Sequence, residues 1–364
     1  MNYVSTGLES AGLKQVQMGF KERLNGPGPC YLFSMFRWMF PCVVLLLVFS
    51  CSSRPSVAGL YFWKTTLDWS QEDTRRLVTA GVDRVGLRLF DWGLAGEEGP
   101  LVVRSPLPAG VMVVPVVYVT TGRLESWAKA PGFQPNQAAR DLLDHIDAAL
   151  PLAWSGNPTV WQLDADWTAS TRVAWFAVAA GFRDLVHDRG GRFEVTVRLH
   201  QYRDRGSQGV PPADAGVLML YGAGDAVLDP NLVAGYLTGP AYPLPLVPAF
   251  PAYTQVRQNN GYGRLVALHR LHAETDLPFA DLRLEGPGHY TVVRRSSLGG
   301  RPLLDHDELF VDRVEPAVLD AVSELSAVTA LRRAAGDRVW IFDYDSQGWE
   351  ALIHGPLAPH LFPR

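Results

Sequence analysis

The sequence predicts a (β/α)8 barrel of the TIM type with a β-rich insertion after its seventh strand, carried behind an export signal. Three observations predict it. About eight short apolar, β-branched runs recur along residues 59–364 with helical patterns between them, the count a closed barrel needs. Several runs are continuously hydrophobic, as parallel strands buried on both faces are. From about residue 251 to 314 this alternation gives way to short strands separated by Gly, Pro and Asn, the form of an excursion from a barrel strand.

The expected strands, in order, are Leu60–Trp63, Val85–Asp91, Val111–Val119, Thr159–Trp167, Arg192–His200, Val217–Tyr221, Leu244–Phe250 and Arg338–Tyr344. Between the first two, Ser70-Gln71-Glu72-Asp73 reads as a helix cap with acidic first-turn residues, and Gly81 ends that helix. Asn136 to Leu150 has apolar residues at helical spacing. Thr168 to His187 is a further helix closed by Gly190-Gly191. Pro230 opens a fourth at its first turn, and Glu315 to Ala335 is a fifth, stopped by Gly336. No clear helix follows Val119 or surrounds Pro211-Pro212. Within the excursion, Leu265–Leu271, His289–Arg295 and Glu308–Val311 read as strands.

Composition narrows the function classes. Hydrophobic residues at 47% supply a core, and 19% charge is too little for a chiefly disordered chain. A net charge of −4 without a basic run argues against nucleic acid as a partner.

The N-terminal region reads as a lipoprotein export signal. Residues 35–51 run from Arg37 through an apolar stretch, Val43 to Phe49, to Ser50-Cys51. The stretch is too short to span a bilayer and fits a signal-peptide core. Val48-Phe49-Ser50-Cys51 resembles a bacterial lipobox, which implies lipid on Cys51 and a membrane anchor. Residues 1–34 are then a disordered leader or an extension of the gene model, and 52–58 a tether. Ser52 rather than Asp after the cysteine points to the outer membrane, facing the periplasm. With Cys30 and Cys42 removed by cleavage, the mature domain carries no free thiol, which excludes a disulfide framework, a Cys-ligated zinc and a cysteine nucleophile.

The strongest chemical signal is polarity inside strands that should be apolar. Period-two alternation puts Gln162, Asp164 and Asp166 on one face of the fourth strand, with Trp161, Leu163 and Ala165 on the other. In the fifth strand Glu194, Thr196, Arg198 and His200 share a face. Those faces must line the barrel interior, where unpaired charge costs several kcal/mol. Arg198 should therefore pair with at least one of Asp164, Glu194 and Asp166, most simply Asp164 or Glu194, and Arg88 of the second strand could join them. Asp91, Tyr118, Tyr221, Asp343 and Asp345 stand at strand ends, where this fold gathers catalytic groups. A self-satisfied structural network is the other reading of the same residues.

His269-Arg270-Leu271-His272 with Glu274 lacks the H-E-x-x-H spacing, and Asp305-His306-Asp307-Glu308 reads as a solvated turn, so no metal is expected. No phosphate loop, dinucleotide fingerprint or serine elbow is present, and no cofactor is expected.

Leu163-Asp164-Ala165-Asp166-Trp167-Thr168, Val197-Arg198-Leu199-His200-Gln201 and Leu218-Met219-Leu220-Tyr221 together resemble an uncharacterised family of bacterial exported (β/α)-barrel lipoproteins, a domain of unknown function. A weaker resemblance is to chitinase-like glycoside hydrolases, whose fourth strand ends in alternating acids finishing in a catalytic Glu and whose sixth carries a Tyr. Asp164, Asp166 and Tyr221 match in type, whereas Thr168 stands at the catalytic Glu. This resemblance implies a glycan as ligand, Asp166 as general acid, Asp164 as its partner, and Arg198 holding Asp164 ionised. His200 and Tyr221 would touch substrate and Trp167 would stack on sugar, with Arg88, Asp91, Tyr118, Gln201 and Asp343 as further contacts. The alternative is a non-catalytic module that binds a saccharide or an envelope partner.

Overall fold

The structure, a computed structural model, describes residues 58–106, 110–150, 158–224, 226–271 and 276–343. The expected leader, the signal segment 35–51, Cys51 and nearly all of the tether lie outside the described residues, as do His272, Glu274 and Asp345. Ala58, expected to end the tether, is the first residue of the first strand.

Seven barrel strands come first: β1 (Ala58–Phe62), β2 (Val82–Gly93), β3 (Met112–Val119), β4 (Val160–Ala165), β5 (Arg192–Arg198), β6 (Ala215–Met219) and β7 (Leu246–Pro251). The insertion contributes β8 (Thr254–Asn259), β9 (Leu265–Leu271), β10 (Leu282–Gly286), β11 (His289–Val292) and β12 (Glu308–Asp312). The eighth barrel strand is β13 (Val339–Phe342). All eight barrel strands pair in parallel, and β1 closes the ring by pairing with both β13 and β2. A short antiparallel strand, Gly96–Glu98, folds back on the end of β2.

Barrel closure leaves no sheet edge and forces every strand to choose an inward set of side chains. On β1 that set is Gly59, Tyr61 and Trp63; on β13 it is Trp340 and Phe342. Tyr61 stacks on Trp340 with centroids 4.5 Å apart. A Cβ at Gly86 would lie 2.7 Å from the Tyr61 ring, so only glycine leaves room for that ring. The outward set, among it Leu60, Val85, Leu163, Val195 and Leu218, packs under the helices as one continuous core.

Helices α1 (Gln71–Thr79), α2 (Thr121–Lys129), α3 (Pro135–Ala149), α4 (Arg172–Asp188), α5 (Leu199–Arg203) and α6 (Pro230–Tyr236) follow β1, β3, β4, β5 and β6. Ser70 caps α1 in a reciprocal box with Asp73. Two expectations need correction. A helix does follow Val119: Thr120 caps α2 by accepting the Arg123 N–H, a signal hidden beside Gly122. The last helical stretch is two helices, α7 (Pro316–Glu324) and α8 (Ser326–Ala334), because Leu325 adopts an extended ψ of 129°. No helix among the described residues is long and apolar enough to cross a membrane.

The insertion is an antiparallel sheet of order β9-β8-β12-β11-β10 with its own small core of Val256, Leu271, Val292, Leu303 and Leu309. Three of its five strands were legible; β8 and β10 were not. Asp307, in the acidic turn, is buried and accepts from Gln258 Nε2 at 2.7 Å and from the Leu304 N–H at 2.9 Å, a structural role.

Candidate functional site

Register stacks the polar interior residues in three rows. Gln162 pairs with Glu194 across β4 and β5, Tyr118 lies beside Asp164 across β3 and β4, and Met219 lies beside Arg198 across β5 and β6. The lowest row is Gln162 with Glu194, where the Tyr61 hydroxyl donates to Gln162 Oε1 at 2.7 Å. In the middle row the Thr196 hydroxyl donates to Asp164 Oδ1. The top row is Asp166 with Arg198, whose Nε and Nη2 donate to Oδ1 and Oδ2 at 2.6 and 3.3 Å.

Above these rows opens a cavity of about 240 Å³ at the carboxyl-terminal mouth of the barrel. Its polar wall is Asp164, Asp166, Arg198 and Arg270; Trp63, Tyr118, Tyr221 and Phe342 supply rings, and Met219 completes the lining. The space is below the roughly 300–1,000 Å³ of pockets that bury drug-sized ligands, so it suits about one small ring.

The two carboxyls differ in environment. Asp164 is 2% exposed. Burial raises its pKa, opposed by Arg198, reinforced by Asp166, and lowered again by the Thr196 hydrogen bond and Arg270. Arg198 lies 3.8 Å from Asp164 Oδ1, too far for a hydrogen bond. The Asp166 side chain is 37% exposed and is the tightly paired one. Burial works against the Arg198 charge, but Asp164 and Asp166 together hold it protonated more firmly than usual. The expected pairing is therefore corrected: Arg198 grips Asp166 rather than Asp164, and Asp164 is the carboxyl whose pKa burial raises.

Arg198 is paired as expected, with Asp166 and more distantly Asp164, but not with Glu194. Glu194 lies below, 3.5 Å from Arg192, its pKa raised by burial and lowered by Arg192, Arg84 and Arg338. Tyr118 and Tyr221 reach the cavity as expected. The Tyr118 hydroxyl is pushed up by burial and by Asp166. Tyr221 stacks on Phe342 at 5.3 Å, and its buried hydroxyl has no hydrogen-bond partner among the described residues.

Six expected residues do not face the cavity. β5 ends at Arg198 and α5 begins at Leu199, so His200 leaves the inward face and is exposed on the helix. Gln201 is buried as a clamp: its Oε1 accepts the Arg198 N–H at 2.8 Å and its Nε2 donates to the Trp167 carbonyl at 3.2 Å. It fixes the ends of β4 and β5 rather than contacting a ligand. Trp167 falls on the outward parity, fully buried, with its indole N–H on the Gln208 carbonyl at 3.0 Å. Arg88 and Asp91 engage each other at 2.8 Å, and Arg88 also donates to the Gly99 carbonyl. The bulge between Arg88 and Phe90 turns them toward the edge hairpin. Asp343 is buried one residue beyond β13 and does not line the cavity.

Four lining residues went unnoticed, among them Met219, which was legible as the residue two before Tyr221 on the same face. Trp63 was legible, since it continues the inward parity of Gly59 and Tyr61. Phe342 was legible by the same alternation from Trp340. Arg270 was not, because no spacing connects a strand of the insertion with the barrel mouth. Thr168 also finds its place. Its N–H donates to Thr171 Oγ1 at 2.9 Å in the turn before α4, outside the cavity lining, so Asp166 is the last acid of this strand to face the cavity. Among the described residues no three His, Cys, Asp or Glu side chains cluster as a metal site.

No family model matches the chain, and no curated protein matches it in sequence. Among solved structures it is similar to the C-terminal domain of a candidate chitinase from Desulfitobacterium hafniense. Identity is 13%, the TM-score is 0.52, and 85% of this chain and 100% of that one are covered. It is also similar to the spore cortex-lytic enzyme SleL of Bacillus megaterium, at 11% identity and a TM-score of 0.50 over 84% of this chain and 75% of that one. At these identities the likeness shows the fold, a barrel shared with chitinase-like glycoside hydrolases.

Proposed function

We propose that this barrel is a glycoside hydrolase-like enzyme of the bacterial envelope, acting on one sugar unit of a glycan at the mouth of β4 and β5. The observation that carries the reading is the pair of carboxyls in one aromatic-walled cavity with different environments: Asp164 buried and raised, Asp166 half-buried and ion-paired. Two acids held apart in this way can take the two roles of glycosidic cleavage. Asp164 gives its proton to the glycosidic oxygen as the bond to the anomeric carbon breaks. Asp166, paired with Arg198, stabilises the positive charge left on the ring. Water then adds to that carbon and returns a proton to Asp164. Trp63 and Tyr118 offer ring faces to a sugar, and the Tyr221 hydroxyl offers a donor with no partner to give up.

The test is a cleavage screen of the purified protein against amino-sugar and neutral oligosaccharides, read by mass spectrometry, beside Asp166→Asn. Products from the parent and none from the variant support the reading. A parent that binds an oligosaccharide but cleaves none, with binding unchanged in Asp166→Asn, supports the rival, a saccharide-binding module. That rival draws on how far Asp164, Asp166, Thr196 and Arg198 satisfy one another.

The place of action is part of the same proposal: lipid on Cys51 would hold the domain at the outer membrane, facing the periplasm. Cys51→Ala should move the protein from the membrane fraction to the soluble envelope fraction. A variant that stays membrane-bound like the parent would end the lipoprotein reading.

A further inference from the structure

We propose that the sugar held in this cavity carries a carboxylate, and that Arg270 of the insertion is the group that reads it. The inference rests on the reading above for the location of the sugar and adds its chemical class. Arg270 comes from β9, far along the chain from the barrel acids, yet lines the same cavity as Asp166 and Arg198. Its guanidinium carbon stands 5.1 Å from the Phe342 ring centroid and 5.4 Å from that of Tyr253. Held against ring faces, a guanidinium keeps its N–H edge for a ligand, and that edge matches a carboxylate in a two-point fork.

The strand that carries it is anchored. β9 buries Ala267, His269 and Leu271 and exposes Leu268 and Arg270. His269 Nε2 meets Gln258 Oε1 at 2.9 Å, and Gln258 is tied in turn to Asp307. Arg270 is thus presented from a fixed strand and remains solvent-accessible at the mouth.

The two guanidinium groups of the cavity differ in their pairing. Arg198 is engaged by Asp166, and within 4 Å by Asp164. Among the described residues no carboxylate lies within ion-pair distance of Arg270. Asp166 is thus committed to Arg198, and the second guanidinium of the cavity is left without a carboxylate of its own among the described residues. One negative charge on the ligand would pair the Arg270 guanidinium, whose charge only ring faces and solvent otherwise meet. A neutral sugar leaves that charge uncompensated.

The carboxylate could belong to the ring itself, as in a uronic acid, or to a lactyl ether, as in a muramic acid. Isothermal titration of the purified protein with glucuronate against glucose, and with N-acetylmuramate against N-acetylglucosamine, separates the two. We expect at least one acidic sugar to bind about tenfold or more tightly than its neutral counterpart, with that preference lost in Arg270→Gln and partly kept in Arg270→Lys. Arg270 is exposed, so neither variant threatens the fold. Equal binding of acidic and neutral sugars, no binding of either acidic sugar, or a preference that survives Arg270→Gln would overturn the inference. Failure of the parent reading looks different: no polymer is cleaved while the Arg270-dependent preference stands.

Discussion

Replacing Arg198 with Met probes the site where its electrostatics are most exposed to measurement. The substitution keeps much of the aliphatic stem and removes the bonds to Asp166 at 2.6 and 3.3 Å and the 3.8 Å approach to Asp164. Breaking a wholly buried pair costs about 3–5 kcal/mol. Arg198 and Asp166 are 26% and 37% exposed, so solvent screens their share, and the loss concentrates on Asp164, which is 3% exposed at its side chain. We expect about 2–3 kcal/mol near pH 7, below the wholly buried case. The sign with pH follows from Asp164. Burial raises its folded pKa and Arg198 opposes that rise, so the variant raises it further. Stability tied to a raised carboxyl is present below the unfolded value and lost as pH rises through the folded one. The gap between parent and variant should therefore widen from pH 4 to pH 7. Urea unfolding followed by tryptophan fluorescence at both pH values measures it. A loss under about 0.5 kcal/mol at neutral pH, within the range of an unremarkable surface change, would refute the coupling, as would a gap independent of pH.

Two further substitutions test the interior. Glu194→Gln removes a buried carboxyl whose pKa burial raises, so the variant should gain melting temperature on the parent as pH climbs from about 4 to 7; a constant difference would show that Glu194 does not titrate differently in the fold. Thr168→Glu should leave any activity unchanged, because Thr168 sits in the turn before α4; an increase in cleavage would mean that position 168 reaches the cavity.

The barrel was legible because its physics is periodic. Parallel strands buried on both faces must be apolar, so Gln162, Asp164, Glu194 and Arg198 stood out as exceptions and their parity named the interior. Parity also held the answer for Trp167, Trp63 and Phe342, but an aromatic beside an acid invites a binding role, which is how Trp167 was misplaced. His200 was lost at a boundary: nothing in Val197-Arg198-Leu199-His200 marks the residue where strand becomes helix. Arg88 was turned aside by a bulge, and bulges leave no reliable sequence mark. The preference of Arg198 for Asp166 over Asp164 depends on distances of an ångström, finer than strand pairing resolves. Arg270 lay beyond any local rule, since only the docked insertion brings it to the mouth.

The pH dependence of cleavage, compared between the parent and Asp164→Asn on whichever oligosaccharide the screen identifies, tests the proposed chemistry most directly. With Asp164 as the proton donor, kcat/KM should fall as pH rises through a value above the ordinary carboxylate range, about 3.9 for Asp. Asp164→Asn should lose roughly 10²–10⁴-fold in rate and with it that falling limb. A variant that cleaves as fast as the parent with the same pH profile would contradict the assignment of the proton to Asp164.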